Sequence, residues 1–96
     1  MKIVVSASAW ADLEKSRDFY ESLQAGLGIR FLDSMQEDLV RLASMPLKHQ
    51  TVGHFHLMQS RIFPFGIYYR VVDETIVVAA VLDLRRDPAW IARRLG

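Results

Sequence analysis

The first half of the chain begins with a short β-branched segment and continues with apolar residues at helical spacing. Residues 2–5, Lys-Ile-Val-Val, predict a strand because β-branched side chains favour extended backbone. From Ala7 onward the spacing of three and four residues predicts a helix, which Ser6 is placed to cap. The predicted buried face of this helix contains Ala9, Leu13, Ser16, Tyr20 and Leu23. The charged residues on its other face, Asp12 among them, are interpreted as solvated and without a chemical role.

A second helical pattern follows two glycines, Gly26 and Gly28. Its apolar residues have the same spacing, and they are Phe31, Leu32, Met35, Leu39 and Leu42. Glycine commonly follows the end of a helix and proline cannot continue one, so we expect Pro46 to end this second helix. Residues 7–44 are therefore predicted to form two antiparallel helices joined by a short turn.

The second half of the chain changes to the alternating and β-branched patterns that are typical of strands. Three strands are predicted, over residues 54–59, 65–72 and 75–84. The polar residues 48–53 are interpreted as a connection. Asp73 and Glu74 separate the last two strands and predict a tight hairpin turn, although neither is the glycine that such turns favour.

The last segment carries the start signals of a helix. Asp87 is placed to cap it, and proline is favoured at the first helical position, which Pro88 occupies. This short helix is predicted to continue to Leu95. Together the elements predict an α+β fold, in which a helical hairpin packs on a mostly antiparallel four-stranded sheet and a short C-terminal helix follows. We expect residues 1–96 to form one domain.

The predicted strand 75–82 is apolar on both of its faces. One face has Ile76, Val78, Ala80 and Leu82, and the other has Val77, Ala79 and Val81. A sheet that is covered on one face only should alternate apolar and polar residues. The second face is therefore expected to be covered, either by the C-terminal helix or by a partner protein, and the sequence leaves both possibilities open.

Composition and charge exclude several classes of protein. The chain has 96 residues, of which 51% are hydrophobic, so it has enough apolar surface to fold. It contains no cysteine, which excludes disulfide scaffolds, thiolate metal sites and thiol nucleophiles. A net charge of +1 argues against nucleic-acid binding by charge alone. No apolar run is long enough for a bilayer span or a signal peptide, so we expect a cytoplasmic protein without membrane contact.

Several segments, taken together, resemble the RelE/ParE superfamily of toxins over about residues 3–94. The segments are Ser6–Leu13, Gly26-Leu27-Gly28 with Phe31, Phe63–Val72, Ile76–Asp83, and Arg85–Pro88 with Trp90. Their order and spacing carry the resemblance. It implies a bacterial toxin of a type II toxin–antitoxin module, with the fold that the elements predict, no cofactor and a role in plasmid stabilisation.

The resemblance also implies the partners. A cognate antitoxin encoded beside the toxin neutralises it, and operator DNA is contacted only through the toxin–antitoxin complex. ParE-like members inhibit DNA gyrase without known bond-cleaving chemistry. RelE-like members cut messenger RNA on the ribosome. Fold does not separate these branches, because function depends on the site.

The residues favour the ParE-like branch. Metal-free RNA cleavage needs a general base, a general acid and positioned cations. RelE-like enzymes supply lysines and arginines from central strands and often a tyrosine near the C-terminus. Here Lys2, Lys15 and Lys48 lie outside the predicted central strands, and the last tyrosine is Tyr69. Nuclease chemistry would have to use Arg61, Arg85, His54 and His56.

The histidines are expected to be chemically inert. His54 and His56 are predicted to project from one face of an exposed edge strand, where two metal ligands or one general base could stand. No third ligand is evident nearby in the sequence, so a metal site is not favoured. Tyr68 and Tyr69 are predicted to point to opposite faces of the sheet, one into the core and one available to stack on a partner.

The favoured function is therefore a gyrase inhibitor that acts by protein binding. The candidate residues for contact with the target or the antitoxin are Arg61, Tyr69, Arg70, Arg85, Arg86, Trp90, Arg93 and Arg94. Arg85 and Arg86 have a second interpretation, in which one of them pairs with Asp83 or Asp87 and fixes the C-terminal helix. Two alternative functions stay open, a RelE-like messenger-RNA endoribonuclease and a degenerate toxin retained for antitoxin binding and operator autoregulation.

Overall fold

The computed structural model describes residues 1–44 and 49–96 of the chain. Its elements within these residues are β1 (Lys2–Val5), α1 (Ala7–Leu23), α2 (Leu27–Ser44), β2 (Gln50–Val52), β3 (Phe55–Gln59), β4 (Phe65–Val72), β5 (Thr75–Asp83) and α3 (Pro88–Leu95). The predicted α+β architecture is confirmed. In the described parts of the chain, no helix is both long enough and apolar enough to cross a bilayer.

The sheet has five strands in the order β1-β5-β4-β3-β2. β1 pairs with β5 in parallel, and the other neighbours are antiparallel. The prediction of four strands is wrong by one, because part of the polar segment 48–53 forms β2. Gln50 and Thr51 are exposed, since they lie at the edge of the sheet. A three-residue polar edge strand has no hydrophobic alternation by which sequence could reveal it.

The predicted helical hairpin is confirmed, with its turn held by one carboxylate. The Glu21 side chain accepts hydrogen bonds from the backbone amides of Gly26, at 3.0 and 3.1 Å, and of Gly28, at 3.0 Å. A Cβ atom at Gly28 would lie 2.8 Å from the carbonyl oxygen of Arg17, so only glycine permits this approach of the helices. Leu23 is 61% exposed, contrary to its predicted burial, because it ends α1 beside this turn. The predicted stop at Pro46 lies outside the described residues.

Both predicted helix caps are confirmed. The Ser6 hydroxyl accepts a hydrogen bond from the Ala9 amide at 3.1 Å, at the start of α1. The Asp87 carboxylate accepts one from the Ala89 amide at 3.0 Å, and Pro88 begins α3. These bonds satisfy amides that have no partner inside the helix.

One face of the sheet packs against α1 and α2 and forms the main core. Its centre is aromatic: Phe31 is fully buried and its ring lies 5.2 Å from that of Tyr20 and 5.0 Å from that of Phe65. Phe63 closes the same cluster, with its ring 5.1 Å from Phe31. Aromatic pairs at these separations add to the free energy gained from burial.

The other face of the sheet packs against α3. Its core is smaller and contains Leu57, Tyr68, Ala80 and Leu82, against which Trp90, Ile91 and Leu95 of α3 are packed. Of the two possibilities for covering this face, the C-terminal helix is therefore the one that the structure shows. α3 itself has only half-buried and exposed residues, so it covers this face as a thin layer.

A bulge in β5 changes which of its residues share a face of the sheet. Tyr68 pairs with Ala80 whereas Tyr69 pairs with Val78, so Ala79 is an extra residue without a partner in β4. An extra residue reverses the face to which all later side chains point. Val78 and Val81 consequently share the main core, although the regular alternation predicts them on opposite faces. The prediction that Ala80 and Leu82 lie on the same face as Val78 is therefore wrong.

The predicted hairpin between β4 and β5 is confirmed. Asp73 and Glu74 have φ values of 49° and 61°, both in the left-handed region. Two residues with positive φ in a two-residue loop form a type I′ turn, whose twist matches that of the paired strands. Asparagine and glycine adopt this conformation more easily than glutamate does, which is why the sequence signal was weak here.

The aromatic centre of the main core is expected to dominate stability. Phe31→Ala removes a fully buried ring and should lower the free energy of unfolding by about 3–5 kcal/mol. Phe19→Ala is the matched control, because that ring is 54% exposed and its loss should cost less than about 1 kcal/mol. Urea denaturation followed by circular dichroism measures both, and equal losses would contradict this account of the core.

Candidate functional site

The arginines that follow β5 are held in different ways, and Arg85 is paired with a carboxylate. Its Nε lies 3.0 Å from Asp83 Oδ1 and its terminal nitrogen 2.8 Å from Asp83 Oδ2. This two-point contact is the strong form of an arginine–carboxylate pair. The hydrogen bonds from Arg85 hold the pKa of Asp83 below its ordinary value. The interpretation in which an arginine pairs with Asp83 is therefore confirmed for Arg85, which remains 63% exposed.

Arg86 is held by an aromatic ring. Its guanidinium carbon lies 3.8 Å from the centre of the Trp90 ring, a close cation–π contact. Within residues 1–44 and 49–96, no carboxylate forms a salt bridge with Arg86. Trp90 thus has two roles, since its ring also packs on the smaller core of the sheet. The positive charge of Arg86 stays available to a partner.

Arg94 connects α3 to α1. One of its terminal nitrogens lies 2.8 and 2.7 Å from the two carboxylate oxygens of Asp12, and 3.0 Å from the Ser8 hydroxyl. Asp12 also accepts a hydrogen bond from the backbone amide of Val81 at 3.1 Å. The interpretation of Asp12 as a solvated residue without a role is wrong, because this carboxylate joins α1, β5 and α3.

The other three arginines predicted to contact a partner, Arg61, Arg70 and Arg93, are exposed. Arg93 is exposed on α3. Arg70 is exposed on β4, with its guanidinium carbon 5.6 Å from the centre of the Phe55 ring. Arg61 is exposed in the loop between β3 and β4, where its backbone amide lies 3.4 Å from the buried carboxylate of Asp38.

A cleft of about 520 Å³ lies between α1 and α3, at the end of β5. Arg86, Trp90 and Arg94 line one side of it, and Asp12, Lys15 and Phe19 line the other. Of these six, Asp12, Lys15 and Phe19 were not among the predicted site residues. One feature of the sequence could have indicated this site: Phe19 is an aromatic residue outside the predicted apolar face of α1.

His49 and His56 lie elsewhere, beside Tyr69 on the side of the sheet that faces α1 and α2. His56 is in β3, an interior strand, and its ring stacks on Tyr69 at 5.2 Å. His54 is exposed in the turn before β3 and outside any strand. The prediction that both project from one face of an exposed edge strand is wrong, because β2 occupies the edge. His49 joins this group through a hydrogen bond with the Tyr69 hydroxyl.

Burial sets the protonation states in this group. It lowers the pKa of His49, and the positive charges of Arg41 and His56 lower that pKa further. Burial raises the pKa of Tyr69, whose side chain is only 3% exposed. His49 Nδ1 and the Tyr69 hydroxyl share a hydrogen bond. Tyr68 is equally buried, on the opposite face as predicted, so neither tyrosine presents a free ring face to a partner.

The four candidate nuclease residues are not brought together. Arg61 and Arg85 lie at the same end of the sheet, since the Leu84 amide donates to the Pro64 carbonyl there at 2.9 Å. His54 precedes the five residues of β3 and lies at the opposite end, roughly 16 Å away along an extended strand. His56 faces the helical hairpin, whereas Arg85 follows β5 beside the cleft.

A family model confirms the resemblance to toxins. The model for the ParE toxin of the type II toxin–antitoxin system parDE matches residues 3–88. The chain belongs to the ParE toxin family. Its members are type II toxins, and the matched range includes all five strands, the helical hairpin and the start of α3.

Solved structures of both branches share the fold. A chain of the chromosomal ParDE toxin–antitoxin system from P. aeruginosa matches with a TM-score of 0.75 and 18% identity, over 88% of this chain and 97% of that one. The isolated E. coli RelE toxin matches with a TM-score of 0.59 and 16% identity, over 99% and 98%. Among curated proteins, none matches the chain significantly. At these identities the two structures show a shared fold.

The Arg94–Asp12 contact should stabilise the docking of α3. Arg94→Ala leaves a partly buried carboxylate without its cation, so we expect a loss of about 1–2 kcal/mol in the free energy of unfolding. Arg93→Ala, at the neighbouring exposed position, should change it by less than about 0.5 kcal/mol. Urea titration monitored by tryptophan fluorescence compares the two, and an equally small loss for both would show that the contact does not stabilise α3.

The lowered pKa of His49 predicts a dependence of stability on pH. In the folded protein His49 takes up its proton at a lower pH than in the unfolded chain, where the pKa is about 6.5. The unfolded state therefore binds more protons below that pH, and stability falls as the pH drops from 7.5 to 5.5. His49→Gln, which cannot be protonated, should show a smaller fall in melting temperature. Identical pH profiles would contradict the assignment.

Proposed function

We propose that this chain is the toxin of a type II module, that it inhibits DNA gyrase by binding to it, and that a cognate antitoxin neutralises it. Membership of the ParE family supports the toxin role. The single observation that carries the choice of target is the placement of the cations. Arg85 and Arg94 are paired with carboxylates and Arg86 with an aromatic ring, whereas His49 and His56 lie beside Tyr69 and away from these cations.

The alternative of RNA cleavage lacks support from the geometry. A metal-free ribonuclease places a general base, a general acid and cations within reach of one phosphate. The candidate residues are spread over both ends of the sheet, with His54 at the end opposite to Arg61 and Arg85. Arginine also stays protonated, so Arg61 and Arg85 are unsuited to act as the base. The likeness to RelE does not alter this, because a shared fold does not transfer a reaction.

The chain is further proposed to act as a single domain in the cytoplasm, where gyrase and its DNA are found. The match of the family model to residues 3–88 supports one domain. The same reasoning gives the antitoxin as its other protein partner, since the family is that of the parDE system.

Two parallel measurements test the target. Purified protein should inhibit DNA supercoiling by gyrase in a concentration-dependent way, and its induction in bacteria should break DNA and cause filamentation while protein synthesis continues at first. Coexpression of the antitoxin gene from the same operon should restore growth. Transcript cleavage within codons on the ribosome, with supercoiling unaffected, would assign the chain to the RelE-like branch. Normal growth on induction of folded protein would assign it to the degenerate toxins and overturn the proposal.

A further inference from the structure

The loop between β3 and β4, residues 60–64, exposes one apolar side chain to solvent. Ile62 is 71% exposed, more than any other large hydrophobic residue that the structure describes. Its neighbour Phe63 packs against the main core, with its ring 5.1 Å from that of Phe31. Single apolar residues are common on protein surfaces. What distinguishes Ile62 is the way in which the loop that carries it is held.

Hydrogen bonds hold both ends of this loop. At the first end, the Ser60 amide donates to the Phe65 carbonyl oxygen at 2.9 Å. At the second end, the Leu84 amide donates to the Pro64 carbonyl oxygen at 2.9 Å and ties the loop to the end of β5. Between them, the Phe63 ring is packed in the aromatic cluster of the core. An apolar side chain on a loop that is already ordered loses less entropy when it binds.

A buried carboxylate supports the loop from α2. Asp38 is 2% exposed, and it accepts from the Ser60 hydroxyl at 2.6 Å and from the Arg61 amide at 3.4 Å. Arg41 supplies the opposite charge at 2.9 Å. Burying a carboxylate is costly, and an apolar side chain of similar volume often stabilises a fold equally well. Two of these three donors belong to the loop, so Asp38 fixes the position of Ile62 relative to α2.

We propose that Ile62 inserts into an apolar pocket of the target protein, and that Asp38 is the residue that positions the loop for this contact. Arg61, next to Ile62, is exposed and forms no salt bridge with any residue that the structure describes. A pocket with a carboxylate at its rim therefore complements the loop, because charge pairs orient an interface around an apolar anchor. We take gyrase as the protein that holds the pocket, and this choice rests on the proposed function.

A folded protein suits this loop better than a nucleic acid or an extended peptide does. Isoleucine has no aromatic face on which bases could stack, and one unpaired cation is few for a phosphate backbone. An exposed side chain needs a concave partner, and preformed pockets belong to folded proteins. The bond between Leu84 and Pro64 also places the loop at the end of the sheet where Arg85, another candidate contact residue, follows β5.

Inhibition of DNA supercoiling by purified gyrase provides the direct test. Ile62→Ala should raise the concentration for half-inhibition at least about tenfold, because the apolar contact is lost. Ile29→Ala is the matched control, since this isoleucine is 65% exposed on α2 and lies outside the loop. It should change the value less than about twofold. Circular dichroism verifies that both variants fold, and equal inhibition by the two would overturn the inference.

A double substitution tests the positioning role of Asp38. Asp38→Asn keeps the size of the side chain, but it replaces an acceptor with a donor that cannot bind the loop. It should raise the half-inhibitory concentration about fivefold when Ile62 is present and less than about twofold in the Ile62→Ala protein, because Asp38 acts through the loop. A general role in stability would change both proteins equally, and that result would overturn the positioning role.

Two further measurements separate this inference from the proposed function. Affinity for the antitoxin should stay within about twofold in the Ile62→Ala protein. Loss of that affinity with gyrase inhibition unchanged, or binding to DNA alone that depends on Ile62, would overturn the inference. If the unmodified chain does not inhibit gyrase, the proposed function fails and a growth assay decides the inference. Relief of growth inhibition by Ile62→Ala and not by Ile29→Ala would uphold the loop as the target contact, and no difference between them would overturn it.

Discussion

The fold depends on the extra residue in β5. Ala79 has no partner in β4, and its insertion reverses the side to which the rest of the strand points. Before it, Ile76 and Val78 point into the main core. After it, Val81 returns to that core while Ala80 and Leu82 support α3. The strand can therefore be apolar almost throughout, because the sheet is covered on both sides.

α3 covers the second face of the sheet as a thin layer, and electrostatic contacts hold this helix in place. α3 is a short helix without a fully buried residue, and a helix of this length is not stable in isolation. Trp90, Ile91 and Leu95 provide its apolar contacts, and the Arg94–Asp12 pair ties it to α1. Asp12 accepts from the Val81 amide as well, so one carboxylate aligns the helix, the strand and the terminal segment. The Arg94–Asp12 pair joins α3 to α1, and the cleft lies between these two helices.

The fold is shared with solved structures of low sequence identity. This chain shares its architecture with both a ParDE protein and RelE at 18% and 16% identity. Its polar groups form two separate sets. His49, His56 and Tyr69 lie on the side of the helical hairpin, and the paired arginines lie beside the cleft.

Sequence alone determined the elements and the class of fold. Helical spacing, the caps at Ser6 and Asp87 and the turn at Asp73 are local properties, and each was confirmed. The family resemblance, carried by segments in order along the chain, was confirmed as well. Local patterns could not reveal β2, because a three-residue polar edge strand exists only through its pairing with β3.

Tertiary structure alone decided the face of each residue beyond Ala79, the cover of the second face and the partners of Arg86 and Arg94. A bulge depends on the register between two strands and leaves no periodic signal within one of them. The Arg94–Asp12 contact joins residues 82 positions apart, and no local pattern indicates it. Charge pairs and clefts of this kind arise from the packing of distant segments, so the candidate site became visible only when α1 and α3 were placed side by side.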